Sequence, residues 1–107
     1  AWCLVERHLC AAAAYIGTAP TFHFAHRSWM VEVHLLDRHV ELYDHQVEVF
    51  IVSRIRPERL FPSPQHLKEQ ISRDIEAIRD ILQKQSPRKV FRRWLPYLAQ
   101  QQVESFG

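Results

Sequence analysis

Two ionisable side chains sit two residues apart in an apolar stretch, Met30-Val31-Glu32-Val33-His34-Leu35-Leu36-Asp37. The alternation is that of a strand: Val31, Val33 and Leu35 on one face, Met30, Glu32, His34 and Leu36 on the other. A carboxylate held on a strand can accept a proton from an attacking hydroxyl, and an imidazole can exchange one. Each also has a plainer reading, Glu32 as a solvated strand residue and His34 as a packed, hydrogen-bonded one. Arg56 and Arg59, in a Pro-flanked stretch with Phe61, either touch a ligand or bond nearby carbonyls.

Other chemistry is thinly supported. Seven His are present, but His23 and His26 are the closest pair in a loop, and no HxxxH or HExxH spacing occurs. Cys3 and Cys10 would lie on opposite faces of a single strand over 1–10, so free thiols of a reducing cytoplasm are expected rather than a disulfide. Basic charge is uneven: three Arg face six acids up to Ser53, against eleven Lys/Arg and six acids from Arg54 on. Arg88-Lys89 and Arg92-Arg93 interleave with Phe91 and Trp94, a pattern seen in nucleic-acid binders. On a helix the aromatics would take the apolar face and the bases the solvated one, so nucleic acid is not the expected partner.

These residues need elements to hold them. The chain has 107 residues, 47% apolar, enough for one domain with a real core. No apolar run approaches the ~20 residues of a membrane span, and Ala1-Trp2-Cys3-Leu4 lacks the basic start of a signal peptide, so a piece of a longer chain is expected. Residues 2–9 read as a strand with a turn near Arg7-His8, Ala11–Ile16 as a short strand, and Gly17–Thr21 as a bend in which Gly17 supplies a conformation that needs no Cβ. A polar connection over 23–28, a strand over 29–37, a loop over 38–45 and a strand over 46–55 follow; the last two strands are expected to form one antiparallel hairpin. Irregular backbone is expected over 56–62. Ser63-Pro64 then opens a helix with an apolar stripe at Leu67, Ile71, Ile75, Ile78, Ile81 and Leu82, and with Glu69–Arg73 and Asp80–Lys84 spaced for ion pairs. Ser86-Pro87 opens a second helix carrying Val90, Phe91, Trp94, Leu95 and Leu98, interrupted at Pro96, before a frayed end over 100–107.

Ile16-Gly17-Thr18-Ala19-Pro20-Thr21-Phe22, Val31-Glu32-Val33-His34-Leu35-Leu36-Asp37, Leu42-Tyr43-Asp44, Ile55-Arg56-Pro57-Glu58 through Phe61, and Asp74-Ile75-Glu76 resemble, in order, the IGxxPTF, VEVHLLD, LYG, LRPExxF and DIE motifs of riboflavin kinases. The resemblance implies a mainly β fold: a small antiparallel, Greek-key-like barrel, here incomplete at its N-terminus, with an amphipathic helix packed on it; the second short helix, read from Ser86-Pro87, lies beyond the matched motifs. The resemblance divides the chain into a partial kinase domain over 1–85 and a helical extension over 86–107. It implies transfer of the γ-phosphoryl of ATP to the 5′-hydroxyl of riboflavin, giving FMN and ADP, with Mg2+ required. It further implies a cytoplasmic protein, no membrane, and an N-terminal FAD synthetase domain in the parent chain. Glu32 matches the family's base; Arg56 and Phe61 fall where the flavin pocket is shaped. The sequence departs from the family at three points. The glycine loop and Pro-Thr-Ala-Asn motif, whose Thr and Asn help hold metal and phosphates, precede the matched region and are not in this chain; Asp44 replaces a glycine; Tyr15 stands where Asn is common. A flavin- or protein-binding remnant without a nucleotide site is the alternative implied.

Overall fold

The computed structural model describes residues 1–20, 27–40, 42, 44–92 and 96. Thr21, Phe22, His23, His26, Tyr43, Trp94, Leu95, Leu98 and the tail over 100–107, named above, lie outside the described residues. Four strands, β1 (Trp2–Val5), β2 (His8–Pro20), β3 (Arg27–Leu35) and β4 (Val47–Phe50), precede α1 (Pro64–Lys84) and α2 (Pro87–Val90). All strand pairings are antiparallel and the order is β3-β2-β1-β4. The 13-residue β2 pairs β1 with its first part and β3 with the rest, so the sheet curls into an open half-barrel.

All four residues of β1 are buried, as a central strand covered on both faces must be. One face of the sheet carries Trp2, Leu4 and Leu9, which pack with Ile78 and Leu82 of α1 and with Phe91. The other carries Cys3, Val5, Cys10, Ala12 and Leu35, with Val33, Val47 and Val49 and the loop residues Val40 and Leu42 against them. Each large side chain removed from water in this way contributes about 1.5–3 kcal/mol.

Several sequence expectations are corrected. The first concerns 2–9: the turn expected near Arg7-His8 falls one residue earlier and divides the stretch between two strands. A tight turn at Glu6-Arg7, with Glu6 at φ 57, folds β2 back onto β1. Cys3 and Cys10 therefore stand directly opposite each other instead of on opposite faces, and both are buried and free. Burial, reinforced by Cys10, pushes the Cys3 thiol up to about 11, so it is a packing residue and not a nucleophile.

The second correction is to the β3–β4 hairpin: β4 pairs with β1, and β3 lies at the far edge beyond β2. Alternation assigns each strand its face, and correctly so for Val47, Val49, Phe50 and Val52. It does not say which strand lies beside it. Pairing also stops at Phe50; residues 51–62 cross from the sheet to α1 without strand structure. The bend expected over 17–21 does not begin at Gly17, because Gly17–Pro20 remain paired with Met30–Arg27.

Ser63 caps α1 as its sequence signals: its side chain accepts the His66 N–H at 3.2 Å, and Pro64 occupies the first turn, where no N–H is needed. Gln85 closes the other end, its N–H on Ile81 O at 2.8 Å and its carbonyl accepting the Trp2 indole N–H at 3.0 Å. That bond ties the end of α1 to the first strand. The apolar stripe is covered only in part. Ile78 and Leu82 are buried, whereas Leu67 and Ile71, toward the N-terminus, are exposed. Neither expected ion pair within the helix forms; Glu69 accepts from Gln65, and the ion pairs α1 makes reach outward, Asp74 to Arg56 and Arg79 to Asp37.

Candidate functional site at the open end of the sheet

The helix-side face of the sheet continues along β2 and β3 beyond the part α1 covers. Side chains on this face follow from the pleat: Leu9, Ala11, Ala13 and Tyr15 on β2, Leu36, His34 and Glu32 on β3. Glu32 is the direct cross-strand partner of Tyr15, and His34 of Ala13; Glu32 and His34 are both exposed. An open cleft runs from this end of the sheet, where both faces line it, along the 51–62 segment to the N-terminal half of α1, with Tyr15, Glu32, Arg56, Glu58, Phe61 and Leu67 among its walls. The three residues singled out from the sequence, Glu32, Arg56 and Phe61, thus line one cleft, although 24 or more positions separate Glu32 from the other two.

Arg56 is not left reaching into the opening. Its Nε donates to Asp74 Oδ1 and Oδ2, each at 3.0 Å, and its Nη2 to Oδ2 at 2.9 Å. Its Nη1 donates to the Pro57 carbonyl at 3.2 Å. Planar guanidinium and carboxylate meet as a fork, the strongest form of this pairing. Gln70 Nε2 adds a third donor to the Asp74 carboxylate, reaching Oδ1 at 2.9 Å, and its Oε1 accepts from Arg59 Nη2 at 2.8 Å. Arg59 and Arg56 both lie over the Phe61 ring, 4.7 and 5.6 Å from its centroid. Cation–π contacts of this kind contribute about 0.5–1 kcal/mol each at exposed sites. Segment 56–61 is therefore bolted to the middle of α1. Sequence reading placed Arg56 and Phe61 at the pocket but did not pair Arg56 with Asp74; a bidentate partner 18 positions away leaves no periodic signal.

Partial burial pushes the Asp74 carboxyl up, but the bonds from Arg56 and Gln70 more than offset this and hold it below the ordinary carboxylate value. A carboxylate whose value is lowered on folding stabilises the fold fully above its unfolded value of about 3.9, and that stability is lost as pH falls through the lowered folded value. Asp74→Asn should accordingly lower the urea midpoint at pH 7, with the gap to the unsubstituted chain closing as pH is taken below the carboxylate range. An equal gap at both pH values would show that the charge at 74 is not what holds segment 56–61.

Asp44, which replaces the glycine of the resembled motif, adopts left-handed backbone at φ 63, a conformation that aspartate tolerates less freely than glycine. Among the described residues no group of three His, Cys, Asp or Glu is placed to hold a metal ion.

With this geometry in hand, comparison with known proteins is decisive. The riboflavin kinase family (Flavokinase) matches residues 1–82. The chain belongs to the riboflavin kinase family. It is similar to the bifunctional riboflavin kinase/FMN adenylyltransferase of Buchnera aphidicola subsp. Schizaphis graminum, 41% identical over 64 residues, covering 60% of this chain and 20% of that protein. It is also similar to the protein of the same description from Escherichia coli K12, 44% identical over 61 residues, 57% of this chain and 19% of that protein. The chain thus spans about a fifth of the length of these relatives. No solved structure matches. The curled antiparallel sheet with a long helix laid on one face is an incomplete riboflavin kinase barrel. No helix among the described residues is long and apolar enough to cross a membrane.

Proposed function

We propose that this riboflavin kinase family chain supplies the acceptor side of FMN synthesis: it holds riboflavin with its 5′-hydroxyl at Glu32 while the γ-phosphoryl of ATP is transferred. The observation that carries the reading is the placement of Glu32, an exposed carboxylate on an edge strand that is paired along its whole length with β2, at the wall of an open cleft. A strand position fixes the carboxylate more firmly than a loop would. Phosphoryl transfer asks the protein mainly to position its reactants and neutralise charge, and a carboxylate is needed only to take the hydroxyl proton. Glu32 accepts that proton as the hydroxyl oxygen bonds to phosphorus and the bond to the ADP oxygen breaks. Phe61, fixed by Arg56 and Arg59, offers the flavin an aromatic edge at the far side of the cleft.

The family's Mg2+ does not fit the residues present. The chain lacks a Pro-Thr-Ala-Asn motif, and its described acids and histidines form no three-ligand group. No step is therefore assigned here through a metal, and the nucleotide half of the site is assigned to residues outside this chain. Domain organisation follows the same division, with residues 1–85 the kinase-family unit and 86–107 an extension whose first turn anchors in the core through Phe91. A partner FMN adenylyltransferase unit, as the relatives' description states for them, and a cytoplasmic location complete the proposal.

The test uses the full-length gene product, incubated with riboflavin, ATP and Mg2+, with FMN separated from riboflavin chromatographically. ATP-dependent FMN is the expected product. Quenching of riboflavin fluorescence without any FMN would instead favour the flavin-binding reading, for which the missing metal-binding motif is the supporting observation.

A further inference from the structure

One polar contact at the cleft is not used by the proton transfer. The Tyr15 hydroxyl donates to Glu58 Oε1 at 2.7 Å, joining β2 to segment 56–61 across 43 positions of sequence. Tyr15 is also the cross-strand partner of Glu32, so the two side chains leave the same face with Cβ atoms about 4.5–5.5 Å apart. Glu58 lies between Arg56 and Arg59, which are tied to α1 through Asp74 and Gln70. The segment is therefore fixed to the helix at two points and to the sheet at a third, and the third point adjoins the proposed base.

A second observation shows that the ring position is specific. Gly17, two residues along the same strand, is buried, and a Cβ built on it would stand 2.6 Å from Tyr15 Cζ and 3.0 Å from Cε1. Its backbone is ordinary paired strand, so the missing side chain serves the ring and not the dihedral angles. The Tyr15 ring lies back along β2 over Gly17, and this orientation brings its hydroxyl to Glu58.

We propose that Tyr15 is a positioning residue for the acceptor substrate: its bond to Glu58 straps segment 56–61 across the face that carries Glu32 and presets the flavin side of the cleft. This rests on the reading of the cleft as a riboflavin site. A segment already held in place loses less freedom when ligand binds, so the strap acts on affinity more than on turnover.

Two readouts test it on the chain itself. Tryptic cleavage after Arg59 reports the freedom of the segment, since Leu60 is 98% exposed and the Arg56–Pro57 bond resists trypsin. Quenching of riboflavin fluorescence reports affinity. Tyr15→Phe and Glu58→Leu should each speed that cleavage and weaken riboflavin binding by roughly three- to tenfold, the factor of one ordinary hydrogen bond. The double variant should be no worse than either single one. Glu58→Gln, which keeps an acceptor, should restore most of the loss. Gly17→Ala, which leaves both partners in place but displaces the ring, should reproduce Tyr15→Phe. Additive effects in the double variant, or unchanged cleavage and affinity, would overturn the strap while leaving the riboflavin site intact. An unsubstituted chain that does not quench riboflavin would overturn the riboflavin site, and with it the substrate role of Tyr15, whatever the cleavage shows.

Discussion

Phe91→Ala is expected to destabilise the fold by about 3–5 kcal/mol, the cost of emptying a buried aromatic site. Phe91 is 2% exposed and meets the Phe50 ring edge-on at 4.6 Å and 65°. It packs in the cluster formed by Trp2, Leu4, Leu9, Ile78 and Leu82, which joins the sheet to α1. Little could collapse into the space. Phe50 sits on the last strand, and α2, only four residues long, has no side-chain cap on Ser86 to hold it without Phe91. Small domains have total stabilities of about 5–15 kcal/mol, so the loss would consume a large part of the whole. Urea unfolding followed by tryptophan fluorescence measures it. A change below about 1 kcal/mol would mean that the segment after Pro87 does not belong to the core.

That residue also shows what was legible in the sequence. Val90 and Phe91 announce an apolar face after Ser86-Pro87, and the structure buries Phe91. The faces of β3 and β4, the cap at Ser63 and the buried end of the α1 stripe were likewise readable, because each depends on side-chain period or on local backbone chemistry. Neighbour relations were not. The Glu6-Arg7 turn carries no Gly, Asn or Asp, and its one unusual angle falls on a glutamate, so a turn near Arg7-His8 could be expected but not the pairing of β1 with β2 across it. From this one turn follow the facing cysteines and the central place of β1, which takes the position beside β4 that the hairpin reading gave to β3. At the site, alternation placed Glu32 on its face. Only the tertiary fold brings Tyr15 to Glu58 and Arg56 to Asp74, contacts spanning 43 and 18 positions, and sets them along the same cleft as Glu32. The glycine at 17 was legible as a special position, but its reason was not: it makes room for a neighbouring ring and does not turn the chain.

Glu32→Gln carries the largest expected effect on activity, a loss of about 10²–10⁴ in turnover, the usual contribution of a positioned base. Glutamine keeps the shape and a hydrogen-bond acceptor but cannot take the hydroxyl proton. Because Glu32 is exposed at the cleft wall and not part of either core cluster, the substitution should leave the fold and riboflavin affinity nearly unchanged. The loss should therefore appear in turnover and not in KM for riboflavin. The deciding measurement follows FMN formation by the full-length gene product and its Glu32→Gln variant at saturating riboflavin and ATP with Mg2+, with riboflavin fluorescence quenching as the binding control. Equal quenching with FMN formation at least 100-fold slower in the variant is the predicted result. Equal quenching with FMN formation within a few-fold of the unsubstituted protein would contradict the assignment of Glu32 as the base.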